Sequence, residues 1–294
     1  MRKIFFLCAA ALLLTAFRPA AGQETAYFSP ENILRFADHL YEEKDYVRAA
    51  AEYRRYLSYG DVPPSAAAPI YFKIGLCYRL AQDYPKSITA FQAVIEKFPR
   101  SEAAEGSYFQ VAYGHFLGGR YDESLSFVDA FSLKVGSDEK RLKLAQLKGL
   151  NYLYQKNWQK AEDHLRSLNE KAAQSPLTAA LKTFAEEGKR LPRKSPFLAG
   201  VMSAVIPGTG KIYAGRTSDG LLSLLTIAVT GWQACEGFHE DGVRSVKGWI
   251  YGSLGAFFYL GNIYGSVATV RIFNEQSERK FLERVGVSVN VFFQ

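Results

Sequence analysis

The sequence has few of the residues from which disulfide frameworks and metal centres are built. Its 294 residues include three cysteines and four histidines, and neither a Cys-x-x-Cys pair nor a Gly-x-Ser-x-Gly nucleophile motif occurs. His39, His115, His164 and His239 are scattered along the chain without the spacing of metal ligands. We therefore expect no metal and no cofactor, and we expect that the protein is not an enzyme. Among function classes, an enzyme ranks third.

Concentrated positive charge is also missing. The formal net charge is +7, but residues 1–22 contain three cations and no acid, so the rest of the chain carries only +4. Nucleic-acid binding usually requires a dense basic face, and we therefore expect no nucleic-acid partner. Cys77 and Cys235, the cysteines beyond residue 22, are too few for a disulfide framework and are expected to be buried and unpaired.

Residues 1–22 have the three-part pattern of a secretory signal peptide. The segment starts with Arg2 and Lys3, continues with apolar residues 4–16, and ends with small residues at 20–22. The apolar run is short for a spanning helix of about 20 residues, although a retained signal anchor is the alternative. We expect cleavage of this segment and export of the chain that follows.

Residues 30–190 contain a pattern that repeats every 37 or 38 residues. Aromatic residues recur at Tyr46, Tyr84, Tyr121 and Trp158. A small residue lies nine positions before each aromatic and another three positions after it, and a large apolar residue follows four positions later. Small residues at these places allow two helices to cross closely, and the larger residue fills the next turn of the same helix face. A period of this length indicates an array of helical repeats.

This pattern resembles the tetratricopeptide repeat, a helix–turn–helix unit of about 34 residues. The resemblance implies an all-α fold, a helical-hairpin solenoid of about four repeats over residues 30–190 in which residues 177–190 form a capping helix. It also implies a concave groove that binds a protein or peptide partner. The positions that line this groove in the family correspond here to Tyr41, Phe72, Arg79, Phe109, Tyr113, Phe116 and Tyr154.

Aromatic groove residues suit extended or helical peptides, and Arg79 would pair with a carboxylate of such a partner. For any single aromatic residue of the set, the alternative is an ordinary place in the core between repeats. We therefore expect the set as a whole, rather than each member, to describe the groove.

Residues 191–196 form a linker between the repeats and an apolar region, residues 197–273. Near the start of that region, residues 207–215 read PGTGKIYAG. This segment lacks the first glycine and the final hydroxyl residue of a phosphate-binding loop. It resembles instead the PGxGQxYxG signature of small bacterial membrane modules with paired apolar helices, with lysine at the place of glutamine. The motif residues, which we expect to form a tight re-entrant turn, are Pro207, Gly208, Gly210, Tyr213, Gly215 and Gly220.

Two apolar segments follow the motif. Residues 248–272 are long enough to cross about 30 Å of hydrocarbon, whereas residues 220–235 lie at the short end of the range. The region is therefore predicted to be a membrane module of two to three apolar helices that contact membrane lipid. Helix packing is assigned to the small residues Gly248, Gly252, Gly261 and Gly265. Packing within the chain is favoured over a homo-oligomer contact, which remains the alternative.

The flanking charges predict a membrane topology. With exported repeats, a short or re-entrant first pass by residues 197–214 puts Lys211 and Arg216 in the cytoplasm and the acidic segment 236–241 outside, as the positive-inside bias favours. A two-pass hairpin would reverse these sides and is the less favoured alternative. Residues 274–294 are predicted to be a C-terminal tail, in which the alternation over residues 284–293 is typical of a strand or a frayed end.

These observations favour a membrane-anchored scaffold or adaptor of the bacterial envelope. Its repeats would be exported to the periplasm and bind a partner in their groove, and the C-terminal helices would anchor them, with the inner membrane favoured over the outer membrane. The alternative is an accessory subunit of a membrane transport or protein-insertion complex, in which the C-terminal membrane module is the active part.

Overall fold

The computed structural model describes residues 29–59 and 62–293, and the predicted signal peptide lies outside the described residues. The described part is mainly helical, with fourteen α-helices packed as repeated hairpins and no strand, which confirms the predicted all-α solenoid of tetratricopeptide type. Two compact units divide the chain. The first contains the described residues up to Gln155 together with Ser167–Ala173, and the second contains Lys156–Arg166 and the residues from Gln174 onward.

The first unit consists of helices α1 to α7 and a short α9. Their bounds are α1 (Pro30–Glu42), α2 (Tyr46–Ser58), α3 (Pro64–Leu80), α4 (Tyr84–Lys97), α5 (Glu102–Leu117), α6 (Tyr121–Phe131), α7 (Asp138–Tyr154) and α9 (Glu170–Ala173). Helices α1 and α2, α3 and α4, and α5 and α6 pair as hairpins, and each hairpin also packs against the next helix along the chain.

Small residues allow these helices to cross where the sequence pattern predicts. A Cβ on Gly75 of α3 would lie 2.6 Å from the fully buried ring of Phe91 on α4. The Ser87 hydroxyl, three residues after the repeated aromatic, donates a hydrogen bond of 3.0 Å to the Gly75 carbonyl. Ser124 makes the same bond to the Ala112 carbonyl one repeat later, at 2.8 Å. The repeated small residues therefore mark the crossing of the two helices in each hairpin.

Every repeat turns between its two helices at a residue with left-handed backbone. These residues, two positions before each repeated aromatic, are Lys44, Gln82, Gly119 and Lys156, with φ of 64°, 61°, 71° and 59°. After each of the first three, the next N–H donates to the carbonyl five residues back at 2.9 Å, which closes a Schellman motif. The period of the sequence is therefore also the period of one backbone turn.

Replacing Gln82 with glycine should raise the free energy of unfolding by about 1 kcal/mol, because a Cβ is disfavoured in left-handed backbone. Gln82 is exposed, so no packing is lost. The measurement is the midpoint of urea unfolding followed by circular dichroism. Gln92→Gly, at an exposed position inside α4, is the matched control and should lower stability by a similar amount. Equal signs for the two variants would contradict the assignment of strain to the turn.

The second unit consists of α8, α10 and a C-terminal helical bundle. Their bounds are α8 (Trp158–Ser167), of which the last residue belongs to the first unit, α10 (Pro176–Lys189), α11 (Pro196–Val205), α12 (Thr209–Tyr213), α13 (Thr217–Asp241) and α14 (Val246–Phe293). Helices α11, α12 and α13 all pack against α14. The boundary between the compact units therefore lies within the fourth repeat.

Helix α14 is continuous over 48 residues, so the strand prediction for residues 284–293 is wrong. Phe281, Val285 and Val289 are buried at intervals of four, whereas Val287 is 76% exposed. Valine at every second position over 285–291 fits the two-residue period of a strand, and every second one of these valines also fits the four-residue spacing of a helix face. Phe281, four residues before Val285, continues the helical spacing and decides between the two.

The C-terminal part of α14 is packed against α8 and α10 and is not a free tail. The Phe281 ring lies 5.5 Å from the Trp158 ring and 6.1 Å from the Phe184 ring, both edge-on. Glu278 is 7% exposed and pairs with Lys156 at 2.5 Å and with Arg193 at 3.1 Å. Helix α10, predicted to cap the stack, is thus itself covered by α14.

Candidate functional site

The first candidate site follows the C-terminal ends of the first helices of the repeats. Arg79, on the last turn of α3, places its guanidinium carbon 5.8 Å from the centroid of the Tyr113 ring on α5. Its Nε is buried and has no hydrogen-bond partner among the described residues. Burial raises the pKa of Tyr41 on α1, and the nearby Arg79 charge opposes that rise. The cation therefore lies near two tyrosines with one donor unused.

Aromatic rings on α5 and α7 extend this site. Together with Tyr41 and Arg79, the rings of Phe109, Tyr113, Phe116 and Tyr154 are here called the row. Phe109 and Tyr113 are stacked with centroids 5.5 Å apart, and Tyr113 and Phe116 are stacked at 6.1 Å. The Phe116 ring meets the Tyr154 ring edge-on at 4.9 Å, and Tyr121 contacts both at 5.6 and 5.8 Å. Burial raises the pKa of Tyr113 and Tyr154. These rings form one contiguous aromatic cluster that joins two repeats.

The predicted groove residues differ in how much of their side chains is exposed. Tyr113 and Phe116 are only 6% and 9% exposed, so their rings mainly hold repeats together. Phe109 and Tyr154 are half-buried and keep part of their surface accessible. Phe72 packs on the Phe91 ring at 5.1 Å, beneath Gly106, and belongs to the core between repeats.

The second candidate site is the glycine motif of the second unit, which forms the turn between α11 and α12. Ile206 adopts extended backbone before Pro207 and ends α11. Gly208 has φ of 87°, and a Cβ there would lie 2.0 Å from the Gly220 carbonyl oxygen. A Cβ on Gly210 would lie 2.1 Å from the Ala199 carbonyl oxygen. Both positions thus require glycine for close backbone approach, and Gly215 requires it only for its φ of 96°.

A buried polar network joins this turn to α14. The Asn262 carboxamide accepts a hydrogen bond from the Gly208 N–H at 3.1 Å and donates one to the Ser203 carbonyl at 3.2 Å. The Ser203 hydroxyl accepts from the Gly210 N–H at 2.9 Å and pairs with the Ser266 hydroxyl at 2.7 Å. Asn262 is 3% exposed, and both serines are fully buried. None of these three residues belongs to the sets predicted from the sequence, although an asparagine within the apolar segment 248–272 was a usable signal.

Helix α11 begins, and helix α12 ends, at the same end of the bundle. This end is here called the basal end and contains Lys194, Tyr213 and Asn274. The Lys194 ammonium donates to the Tyr213 carbonyl at 2.8 Å, and the Ser195 N–H donates to the Tyr213 hydroxyl at 3.2 Å. Asn274 exchanges two hydrogen bonds of 2.9 Å with the Lys194 backbone. The chain therefore returns, over residues 195–213, to the end of the bundle from which it started.

Helices α13 and α14 form an antiparallel hairpin that turns at Gly242–Arg244, here called the turn end. A Cβ on Gly248 would lie 2.7 Å from the Phe238 ring, and one on Gly252 would lie 3.7 Å from it. Gly265 faces the Lys211 side chain at 3.4 Å, and Gly261 has nothing within 4 Å. Three of the four predicted packing glycines thus contact neighbours within the chain.

The bundle has apolar residues outside, and polar residues lie inside it beside a small apolar cluster of Ala199, Ala214 and Val270. Its interior contains Ser203, Thr230, Asn262 and Ser266, each less than 9% exposed. Its exterior includes large apolar side chains that are 66–81% exposed, namely Phe197, Val205, Leu222, Trp232, Phe257, Leu260 and Tyr264. Cys235 is also exposed, so its predicted burial is wrong, whereas Cys77 is buried as predicted. This arrangement is the reverse of that in a water-soluble domain.

In the described part of the chain, one helix is long and apolar enough to cross a membrane, Thr217–Arg244. The expected order of the two apolar segments is therefore reversed. Residues 248–272 are long enough, but four glycines, three tyrosines and Asn262 between 250 and 265 lower their mean hydropathy.

Comparison with known proteins identifies one repeat. Residues 70–101 match the family model of the tetratricopeptide repeat. No curated protein and no solved structure matches the chain. The matched segment spans most of α3 and all of α4, the repeat in which the small residue, the aromatic and the proline of the pattern are clearest. Tetratricopeptide repeats generally mediate protein–protein interaction, so the chain has the features of an interaction scaffold.

The tetratricopeptide hairpins hold the predicted groove residues at equivalent places. Tyr41, Arg79, Phe116 and Tyr154 recur at intervals of 37 or 38 residues on the last turns of first helices. Phe72 and Phe109 are equivalent to each other and lie two turns earlier. The row from Tyr41 through Arg79 to Tyr154 is therefore the part of the predicted set that the repeat itself brings together.

Proposed function

We propose that the protein is a membrane-anchored tetratricopeptide scaffold of the bacterial envelope that binds a protein or peptide partner through the row around Arg79. The observation that carries the proposal is the bundle of the second unit, with its buried polar residues and apolar exterior, in a chain that also contains tetratricopeptide hairpins. A surface of this kind is stable against lipid and unfavourable in water. The repeats supply a binding face, and the bundle supplies the anchor.

The chemistry of the row supports a partner segment that carries a carboxylate. Arg79 has a buried Nε without a partner among the described residues, and a carboxylate would satisfy it with a charge-assisted hydrogen bond. Phe109 and Tyr154 offer half-buried rings beside it. Aromatic rings contribute contact area with little loss of conformational entropy. We infer an extended or helical acidic peptide as the bound segment.

The membrane topology that fits the re-entrant turn is a two-pass hairpin of α13 and α14. The basal end then lies on the same side of the membrane as α8 and α10, which pack on the continuation of α14. With an exported chain, the turn end is cytoplasmic and contains Arg244 and Lys247, whereas the larger number of cations at the basal end lies outside, against the positive-inside bias. Large domains translocate largely regardless of their charge, so the cations at the basal end do not prevent export of the repeats.

The second candidate function is an accessory subunit of a transport or insertion complex, with the bundle as its active part. The buried network of Asn262, Ser203 and Ser266 favours it, because polar residues at membrane depth often mark functional sites. The network is also explained by the hydrogen bonds that the motif turn needs. We therefore propose a non-catalytic scaffold as the primary function.

Partner capture in living cells tests the scaffold. With a photoreactive residue at Phe109, we expect a discrete crosslinked adduct, and Arg79→Gln should lower its yield about tenfold or more through loss of one charge-assisted hydrogen bond. Lys97→Gln is the matched control. Lys97 also lies over a tyrosine ring, at 4.7 Å, but it belongs to α4, the second helix of its repeat, and not to the row. Adducts that survive Arg79→Gln, or that disappear equally with Lys97→Gln, would contradict the proposal.

Exchanging residues 197–265 for an unrelated membrane hairpin separates the two candidate functions. A scaffold should keep its adduct and its cellular activity after the exchange, because the repeats and the end of α14 are retained. An accessory transport subunit should lose activity with the exchange and keep it with Arg79→Gln.

A further inference from the structure

A lateral cavity of about 230 Å³ opens on the bundle between α12, α13 and α14. Its lining combines polar side chains with apolar ones. The polar side chains include Lys211, Ser223 and Thr226, the apolar ones include Leu222 and Ile227, and the rings of Phe257 and Phe258 mark its aromatic end. Gly261 leaves its side open, since a Cβ there would meet nothing within 4 Å. The cavity is therefore amphipathic and is bordered by the apolar exterior.

Lys211 is the charged group of this cavity. Its ammonium donates a hydrogen bond of 2.8 Å to the Ser223 hydroxyl, which itself donates to the Asp219 carbonyl. Within the described residues, no carboxylate forms an ion pair with Lys211, whereas Arg216 on the same side is paired with Asp219 at 2.7 Å. An ammonium has three donor hydrogens, and Ser223 uses one. The cation thus keeps donors for an anionic ligand.

The depth of Lys211 suits the region of lipid headgroups. Its side chain lies against Gly265, six residues or about 9 Å along α14 from Arg271 near the basal end. A cation at this depth in a membrane is unfavourable unless an anion or the interface compensates it. The aromatic end of the cavity lies farther toward the turn end, because Phe257 and Phe258 precede Gly265 on α14. From the basal end toward the turn end, the cavity therefore presents first the Lys211 cation and then the two aromatic rings, the same order as the headgroup and acyl chain of a lipid.

We propose that this cavity binds an anionic phospholipid, with the headgroup phosphate on Lys211 and the start of an acyl chain against Phe257 and Phe258. The proposal rests on the proposed membrane anchoring. The cavity holds a phosphate and a short part of the chain, and the rest of the lipid lies along the exposed apolar surface of α13 and α14. Lysine binds phosphate as a compact charge, and the Ser223 hydroxyl, whose own hydrogen goes to the Asp219 carbonyl, holds the ammonium in place. Glutamine, which the resembling signature has at this position, supplies no charge.

Native mass spectrometry of the full-length protein in detergent tests the proposal, with phosphatidylglycerol and phosphatidylcholine of equal chain length as probes. We expect at least fivefold preference for one bound phosphatidylglycerol. Lys211→Gln should abolish the preference, and Lys211→Arg should retain most of it. Arg216→Gln, which removes an exposed cation of the basal end, should leave it unchanged.

Equal binding of the two lipids by the unaltered protein would overturn the proposal, as would a preference that persists in Lys211→Gln or disappears in Arg216→Gln. Displacement of the lipid by millimolar inorganic phosphate would assign the site to a soluble anion and would also overturn it. Flotation of each variant with phosphatidylcholine vesicles tests the anchoring separately. Flotation without lipid preference would contradict the lipid site and support the membrane anchor, and absence of flotation would contradict both proposals.

Discussion

Single cysteines at Leu133 and Ser218 should both react with a membrane-impermeant maleimide in intact cells, whereas a cysteine at Val243 should react only after lysis. Leu133 lies in the first unit, Ser218 at the basal end and Val243 at the turn end, and all three are exposed. In the proposed two-pass topology, the turn returns the chain to the side from which it entered, so Ser218 is expected on the same side as the repeats. The expected contrast is nearly complete labelling against background.

The native cysteines Cys77 and Cys235 must not react with the maleimide in this experiment. Burial raises the pKa of the Cys77 thiol to about 12, so that side chain is unreactive, but the exposed Cys235 must be replaced. Protection of Ser218 with labelling at Leu133 would restore the odd-pass topology. Labelling at Val243 alone would place the repeats in the cytoplasm and would remove the proposed export.

Replacing Gly210 with alanine should destabilise the bundle by about 3 kcal/mol or more. The added Cβ would lie 2.1 Å from the Ala199 carbonyl oxygen and 2.6 Å from the Ser203 hydroxyl, and a backbone oxygen cannot move aside as a side chain can. Separation of α11 from α12 would also break the hydrogen bond from the Gly210 N–H to Ser203, leaving buried polar groups unpaired. All three tryptophans of the chain lie in the second unit, so tryptophan fluorescence during thermal unfolding reports on this unit.

Gly261→Ala is the matched control for this substitution. It adds the same methyl group on α14 where nothing lies within 4 Å, and it should change the unfolding temperature little. A similar loss of stability in both variants would mean that glycine content, and not the close approach at Gly210, stabilises the bundle. Tolerance of Gly210→Ala would contradict the packing of the motif turn.

The repeat architecture was predictable because its signals are local and recur. Tyr46 and its equivalents start each second helix, and the Gly75 position admits the Phe91 ring, so one short pattern encodes a whole hairpin. Burial within the row was less predictable. Tyr113 and Tyr154 both belong to the predicted groove, yet Tyr113 is 6% exposed while Tyr154 is half-buried, because neighbouring rings from other helices decide how much surface remains.

The bundle was harder to predict because its geometry depends on contacts distant in sequence. The glycines of the motif indicated a tight turn, but the residue that the turn packs against, Asn262, lies 54 positions after Gly208 in the sequence. The same limit explains the error at residues 284–293. Alternating valines describe a strand until Trp158 and Phe184 are seen to cover the face that begins at Phe281.

The unbroken α14 has a mechanical consequence. Residues 266–285 contain neither glycine nor proline, the residues at which helices usually kink. At about 1.5 Å per residue this stretch is roughly 30 Å long, and a tilt of about 5° around its middle would move each end by about 1.3 Å. A force applied to α8 or α10 therefore reaches the start of the bundle through a stiff segment of helix, and the glycines of residues 248–265 lie beyond that segment.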